Sequence, residues 1–264
     1  MKKLSFASIE ELNRYMGKQL FQQLQRHPCS MHLLPTGNTF INPYQVLIEQ
    51  LQSCNQDFSH LAIVNLDEYL ESGRPLKSSD PRSFANYMAP VIQALEANGF
   101  QRSNHLFPYS PYPSSYCFTA YERLHAFDSL LSRFQCASAF LGLGPKQSPH
   151  IAFANPGYTG FFGENWREIG AFVTPVDAAT QVANRQDKGM LNQSVPEWAC
   201  TISPGNLVHS KPKTVYLVAY GSEKDLSEIH CTSDVSQHPA AVLPYLEEMG
   251  SKVEVVTCDL NHAS

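Results

Sequence analysis

Short apolar runs of strand length recur along this chain, separated by stretches with helical periodicity. MHLL (31–34), LAIVNL (61–66), ASAFLG (137–142), KTVYLVAY (213–220) and KVEVVTC (252–258) are apolar nearly throughout rather than alternating, the pattern of strands buried on both faces. Residues 8–26, 43–53, 83–97, 116–134, 177–187 and 238–249 carry helical spacing instead. Strand alternating with helix predicts a three-layer, Rossmann-like α/β fold: a mainly parallel sheet with helices on both faces. The 264 residues are read as one domain, 1–264, and 43% hydrophobic residues suffice for a large core.

Local signals sharpen this outline. Ser8 stands three positions before Glu11, a capping box that opens a helix, and Leu12, Met16, Leu20 and Leu24 then share one face. The N-terminus reads as a strand and this helix rather than a signal peptide, since Glu10 and Glu11 interrupt any apolar core. Residues 72–83 are polar with two prolines and read as a loop; residues 104–114 read as a surface crossover. The net charge of −5 excludes the basic face that nucleic acids require. No apolar run approaches the ~20 residues that span a bilayer. Seven cysteines are scattered without a C-x-x-C pair, which points to reduced thiols, a cytoplasmic location and no metal site.

Several positions carry potential chemistry. The first strand runs into Pro35-Thr36-Gly37-Asn38-Thr39 and then a helix, a geometry that offers backbone N–H groups and hydroxyls to a phosphate. The same turn serves equally as a plain β–α connection. The second strand ends at Asp67-Glu68-Tyr69. Two carboxylates there are costly to desolvate, so one is expected to face a polar cleft, as a general base or as a helix cap. The third strand breaks at Gly142 and Gly144 and reaches His150, able to move a proton near neutral pH. The aromatic, glycine-rich stretch 158–170 is either a lid or core packing. Lys224 follows the late strand in the first turn of an expected helix, where a cation fits if an anion meets it; a solvated surface lysine is the other reading.

The blocks LPTGNT, VNLDEY, DPRSF, GLG…HIAF…P, QVAN, TISPG and YLVAYGSEK, in that order over roughly residues 30–240, resemble the glucosamine-6-phosphate isomerase/deaminase family, allied to the 6-phosphogluconolactonases. Asn65-Leu66-Asp67-Glu68-Tyr69 resembles the deaminase branch more closely. The resemblance implies a sugar-phosphate ligand, no cofactor and room for a homo-oligomer. It implies Thr36, Gly37, Asn38 and Thr39 as the phosphate loop and Asp67 as the base that shuttles a proton between C1 and C2. It implies His150 as the ring-opening histidine, Lys224 as a phosphate contact, and Glu68, Gly142 and Gly144 as site neighbours.

The chain departs from the family at the histidine. The family's G-x-G-x-D-G-H becomes Gly142-Leu143-Gly144-Pro145-Lys146-Gln147-Ser148-Pro149-His150, two residues longer and without the aspartate. The glutamate before proline becomes Asn155, which orients an imidazole but lends no charge to its cation. Glu68, Glu164 and Lys146 are the candidates to stand in, Glu164 first. The family's A-N-S-R contact becomes Asn184-Arg185-Gln186, with the arginine one position early. An isomerase/deaminase acting on an amino-sugar 6-phosphate is the leading expectation. A sugar-phosphate sensor without turnover is the alternative, followed by a 6-phosphogluconolactonase.

Overall fold

In the computed structural model, residues 1–109, 120–146, 148–156, 160–185, 194–221, 224, 226, 229 and 234–258 are described. After strand β1 (Lys2–Phe6), the Ser8 side chain accepts the Glu11 N–H and opens helix α1 (Ile9–Arg26). Leu12, Met16, Leu20 and Leu24 are fully buried on its inner face, as their spacing of four requires. Strand β2 (Met31–Leu34) passes through a 3₁₀ turn (Asn38–Phe40) into α2 (Ile41–Ser53), and β3 (Ala62–Asn65) follows.

At Leu66 the chain changes sheets. Residues 67–69, expected as a strand end, begin a further strand, β4 (Asp67–Glu71), which turns at Ser72 and Gly73 into β5 (Arg74–Pro75). Part of the expected 72–83 loop is therefore a hairpin. Both turn residues have positive φ, 52° and 73°, the conformation a tight two-residue connection demands. The expected helix over 83–97 divides into α3 (Phe84–Tyr87) and α4 (Ala89–Glu96), broken at Met88 just before Pro90. The crossover contains a short strand, β6 (His105–Leu106), paired with β3. Helix α5 (Ala120–Leu131) returns the chain to β7 (Cys136–Gly142); the expected start of that helix, 116–119, lies outside the described residues. Then come β8 (Phe172–Pro175), α6 (Ala178–Arg185), β9 (Trp198–Thr201), α7 (Pro204–Ser210), β10 (Thr214–Tyr220), α8 (Val242–Glu248) and β11 (Lys252–Cys258).

Among the described residues the main sheet has seven strands in the order β1-β11-β10-β7-β2-β3-β6, all parallel. Successive side chains point to opposite faces. Ala139, Leu141, Val215, Leu217, Val253 and Val255 meet α5, α7 and α8 on one face. Phe140, Tyr216, Val218 and Val256 meet α1, α2 and α4 on the other. This is the expected three-layer α/β fold. A second sheet, β5-β4-β9-β8, is antiparallel and was not foreseen. Among the described residues no helix is long and apolar enough to cross a membrane. Cys29, Cys54, Cys136, Cys200 and Cys258 are free thiols.

Helices α1 and α2 pack closely at Gly17. A Cβ on Gly17 would stand 2.5 Å from the Val46 Cβ and 2.8 Å from the Pro43 carbonyl oxygen. Gly17→Ala is therefore expected to destabilise the fold by about 1–3 kcal/mol despite the better helix propensity of alanine, measured as a lowered urea midpoint with unchanged m-value.

Candidate active site

The carboxyl ends of β2, β3 and β7 open onto one cleft, where ligands bind in open parallel sheets. Pro35, Thr36, Gly37, Asn38 and Thr39 line one side of it; Asp67 lies at its floor; Gly142, Gly144, His150 and Lys224 close another side. Nine of the residues singled out in the sequence thus meet in one place: Thr36, Gly37, Asn38, Thr39, Asp67, Gly142, Gly144, His150 and Lys224.

Asp67 owes its position to the change of sheet. It opens β4, so the strand pleat sends Asp67 and Glu68 in opposite directions. Asp67 accepts the Thr36 hydroxyl at 2.7 Å, which ties the end of β3 to the loop after β2. Desolvation pushes its carboxyl up to about 7, against the Thr36 hydrogen bond, and the Glu68 charge adds to the rise. A carboxylate with that value changes its proton occupancy around neutral pH.

Glu68 does not line the cleft. It is buried and accepts hydrogen bonds from Ser83 Oγ at 2.8 Å and from the backbone N–H groups of Tyr69, Phe84 and Ala85 at 2.9, 3.0 and 3.0 Å. Its role is the capping one: it holds the start of α3 against β4. Asn155 is buried outside the cleft, with its Nδ2 donating to the Pro175 carbonyl at 3.4 Å. Arg185 is exposed at the end of α6, one position past the residues that face the cleft. Glu164 and Lys146 are likewise exposed and away from the lining, so neither stands beside His150.

The lengthened loop before His150 closes on itself. The Gly144 N–H donates to the His150 carbonyl at 2.8 Å, Ser148 N–H donates to the Pro145 carbonyl at 2.9 Å, and Leu143 bridges Ile151. The two added residues are absorbed within this closure, and the histidine still lines the cleft. Gly144 is required here, because a Cβ would stand 2.5 Å from His150 Nδ1 and 2.5 Å from the Ser148 carbonyl. Burial lowers His150 to about 4; Asp177 opposes the shift and Lys224 adds to it. The imidazole is therefore neutral at physiological pH. Lys224 Nζ donates to the Leu143 carbonyl at 2.6 Å, which draws the ammonium across the same loop. The helix expected to follow Lys224 lies outside the described residues.

Sequence reasoning named Asn184 but missed the rest of the wall that α6 and two phenylalanines give the cleft. Thr180, Ala183 and Asn184 of α6 line the cleft, with Phe84 and Phe153 beside them. Tyr69, Phe84 and Phe153 pack with ring centroids 4.7 to 5.8 Å apart, and the Asn184 amide donates to the Tyr69 hydroxyl at 2.6 Å. Also missed was Asp177, one residue before α6, whose Oδ2 stands 4.0 Å from His150 Nδ1. Helical spacing at 177–187 was visible, but nothing local joined it to a histidine 27 positions earlier.

No family model matches the chain. Glucosamine-6-phosphate deaminase of Staphylococcus epidermidis (strain ATCC 35984) is 28% identical over 226 residues, 85% of this chain and 84% of that one. Glucosamine-6-phosphate deaminase of a Geobacillus species is 26% identical over 254 residues, 92% of this chain and 89% of that one. Among solved structures, a monomeric glucosamine-6-phosphate deaminase superposes with a TM-score of 0.74 at 23% identity, covering 98% of this chain and 97% of its own. The 6-phosphogluconolactonase of Trypanosoma brucei superposes at 0.65 and 17% identity, over 97% and 95% of the two chains.

The raised Asp67 carboxyl has a consequence for stability. A carboxyl whose folded value lies above its unfolded value stabilises the fold fully below the unfolded value, and that contribution is lost as pH rises through the folded one. Between pH 4 and pH 7 the wild type should therefore lose stability relative to Asp67→Asn, a neutral isostere that still accepts from Thr36. At pH 8 the variant is expected to be the more stable, by up to about 4 kcal/mol, and at pH 4 the two should converge, measured by urea unfolding at each pH. The chain is thus similar in sequence to glucosamine-6-phosphate deaminases and shares the fold of a solved one.

Proposed function

We propose that the protein is an isomerase/deaminase acting on an amino-sugar 6-phosphate, with Asp67 as the proton-transferring base. The observation that supports this reading is the convergence of an anion-binding loop, a cation, a carboxyl poised near neutrality and a neutral histidine on one cleft. Backbone N–H groups and hydroxyls at Thr36–Thr39, together with Lys224, suit a phosphate. Phe84 and Phe153 offer an apolar wall to the C–H face of a sugar.

In this reading neutral His150 takes the proton of the anomeric hydroxyl as the C1–O5 bond breaks, and returns it to the ring oxygen, which leaves with the electron pair of that bond. Ionised Asp67 removes the proton from C2. The C2–H electron pair forms the C1–C2 double bond as the C1 carbonyl becomes a hydroxyl, its proton balanced by the one that the C2 ammonium gives up. Asp67 then returns the proton to C1. With an amino group at C2 the product is a ketimine, which water hydrolyses to the ketose phosphate and ammonia. Proton transfer by one positioned group contributes about 10²–10⁴ in rate.

The test is incubation with glucosamine-6-phosphate, galactosamine-6-phosphate and 6-phosphogluconolactone, following ammonia, ketose and acid. Ammonia and ketose in equal amounts are expected from an amino sugar, with kcat/KM rising through an acid limb near pH 7 as Asp67 ionises. Asp67→Asn should lower kcat by about 10²–10⁴ with binding retained. Binding without turnover would make the protein a sugar-phosphate sensor; acid release from the lactone alone would make it a lactonase.

A further inference from the structure

We propose that Asp177 is the positioning residue for His150: from the start of α6 it supplies the carboxylate that the histidine loop lacks, holding the proton on Nδ1 and leaving Nε2 as the acceptor for the cleft. The kinetic part of this inference rests on the function proposed above; the structural part does not.

Three observations carry it. First, His150 Nδ1 is buried and has no partner at full hydrogen-bond geometry, with only the Ser148 backbone carbonyl lying nearby. An orphaned buried nitrogen costs about 1–3 kcal/mol, so a partner within reach is favoured strongly. Second, Asp177 Oδ2 stands 4.0 Å from that nitrogen, about one ångström beyond a hydrogen bond. Such contacts are commonly long in unliganded sites and tighten when substrate binds. Third, Asp177 is itself held. Its Oδ1 accepts the Thr180 N–H at 2.9 Å and its Oδ2 accepts the Thr180 hydroxyl at 2.6 Å, and the Ser148 side chain bonds it from the histidine loop. A carboxylate has about four acceptor positions, so Oδ2 retains capacity for an Nδ1–H.

The arrangement links three parts of the cleft. Thr180 lines the cleft and also holds Asp177, so a ligand that engages α6 acts on the carboxylate beside the histidine. Desolvation works to raise the Asp177 carboxyl, but the hydrogen bonds from Thr180 and Ser148 outweigh it, and the group is ionised at neutral pH. The other charges near the imidazole are Lys224, across the loop, and Asp67, on the cleft floor. Among the described residues, a competing acceptor is the Ser148 backbone carbonyl, which lies near Nδ1 of the ring. If that carbonyl held Nδ1–H, Asp177 would be a helix cap and nothing more.

The experiment separates these roles on the full chain. Imidazole nitrogen NMR reads the His150 tautomer, assigned by its disappearance in His150→Gln. Asp177→Ser keeps a good N-cap but is too short to reach the ring. Asp177→Asn keeps both cap and reach but removes the charge. The wild type is expected to carry its proton on Nδ1. The Ser variant should lose that preference, while the Asn variant should keep it and titrate at lower pH than the wild type. With an active substrate, the Ser variant should lower kcat by about 10²-fold and leave KM within about threefold, and Asp177→Glu should recover part of the loss. An unchanged tautomer in the Ser variant, or unchanged kcat while the wild type turns over, overturns the proposal. If no phosphosugar is turned over but the tautomer still depends on Asp177, the reaction proposed above fails and this inference stands.

Discussion

Leu66 is the residue through which two sheets become one site. Its N–H donates to the Leu34 carbonyl, continuing the parallel pairing of β2 with β3, and its own carbonyl accepts the Ile202 N–H in the antiparallel sheet. A single residue thus serves both ladders, its N–H and its C=O each paired where the chain changes direction. The position of Asp67 follows from this join. Because β4 begins at once, the pleat turns Asp67 to the cleft and buries Glu68 among Ser83, Phe84 and Ala85. A one-residue slip would exchange the two carboxylates and remove the acid from the cleft.

The electrostatics of the cleft follow from burial more than from charge pairing. Asp67 faces no nearby cation strong enough to offset desolvation, so its carboxyl rises towards neutrality while the Thr36 hydroxyl limits the rise. His150 moves the opposite way and stays neutral. Burial disfavours the charged form of each, which shifts an acid up and a base down. The result is a carboxyl that changes its proton occupancy near neutral pH beside an imidazole that stays neutral there. Lys224 is drawn to the Leu143 carbonyl in the histidine loop, and the Asp67 carboxyl is raised by burial and by the Glu68 charge.

Much of this was legible in the residues. The Ser8 cap, the spacing of Leu12 to Leu24 and the continuous apolar strands are local signals, and the parallel sheet follows from their alternation. The Gly/Thr turn, Asp67, His150 and Lys224 were visible because each ends or follows a core strand, where chemistry-bearing side chains stand out. Harder to read were the antiparallel sheet, whose strands β4 and β9 pair across 130 positions, and the choice between Asp67 and Glu68. Those depend on which backbone groups find partners far along the chain. Glu164 looked the nearest replacement carboxylate by sequence distance, yet it is exposed, while Asp177 lies farther along the chain and closer in space.

By itself the sequence determined the layers: periodicity and apolar runs dictate strands buried on both faces, and helices must cover them. It also pointed to Thr36–Thr39, Asp67 and His150 as a candidate site, because each ends or follows a core strand, and the structure brings them to one cleft. Only the tertiary structure decided which carboxylate faces the cleft and which group stands beside the histidine. The reason is physical: a side chain's direction is set by hydrogen-bond register, and register between distant segments is fixed by packing the whole chain rather than by any local stretch of it.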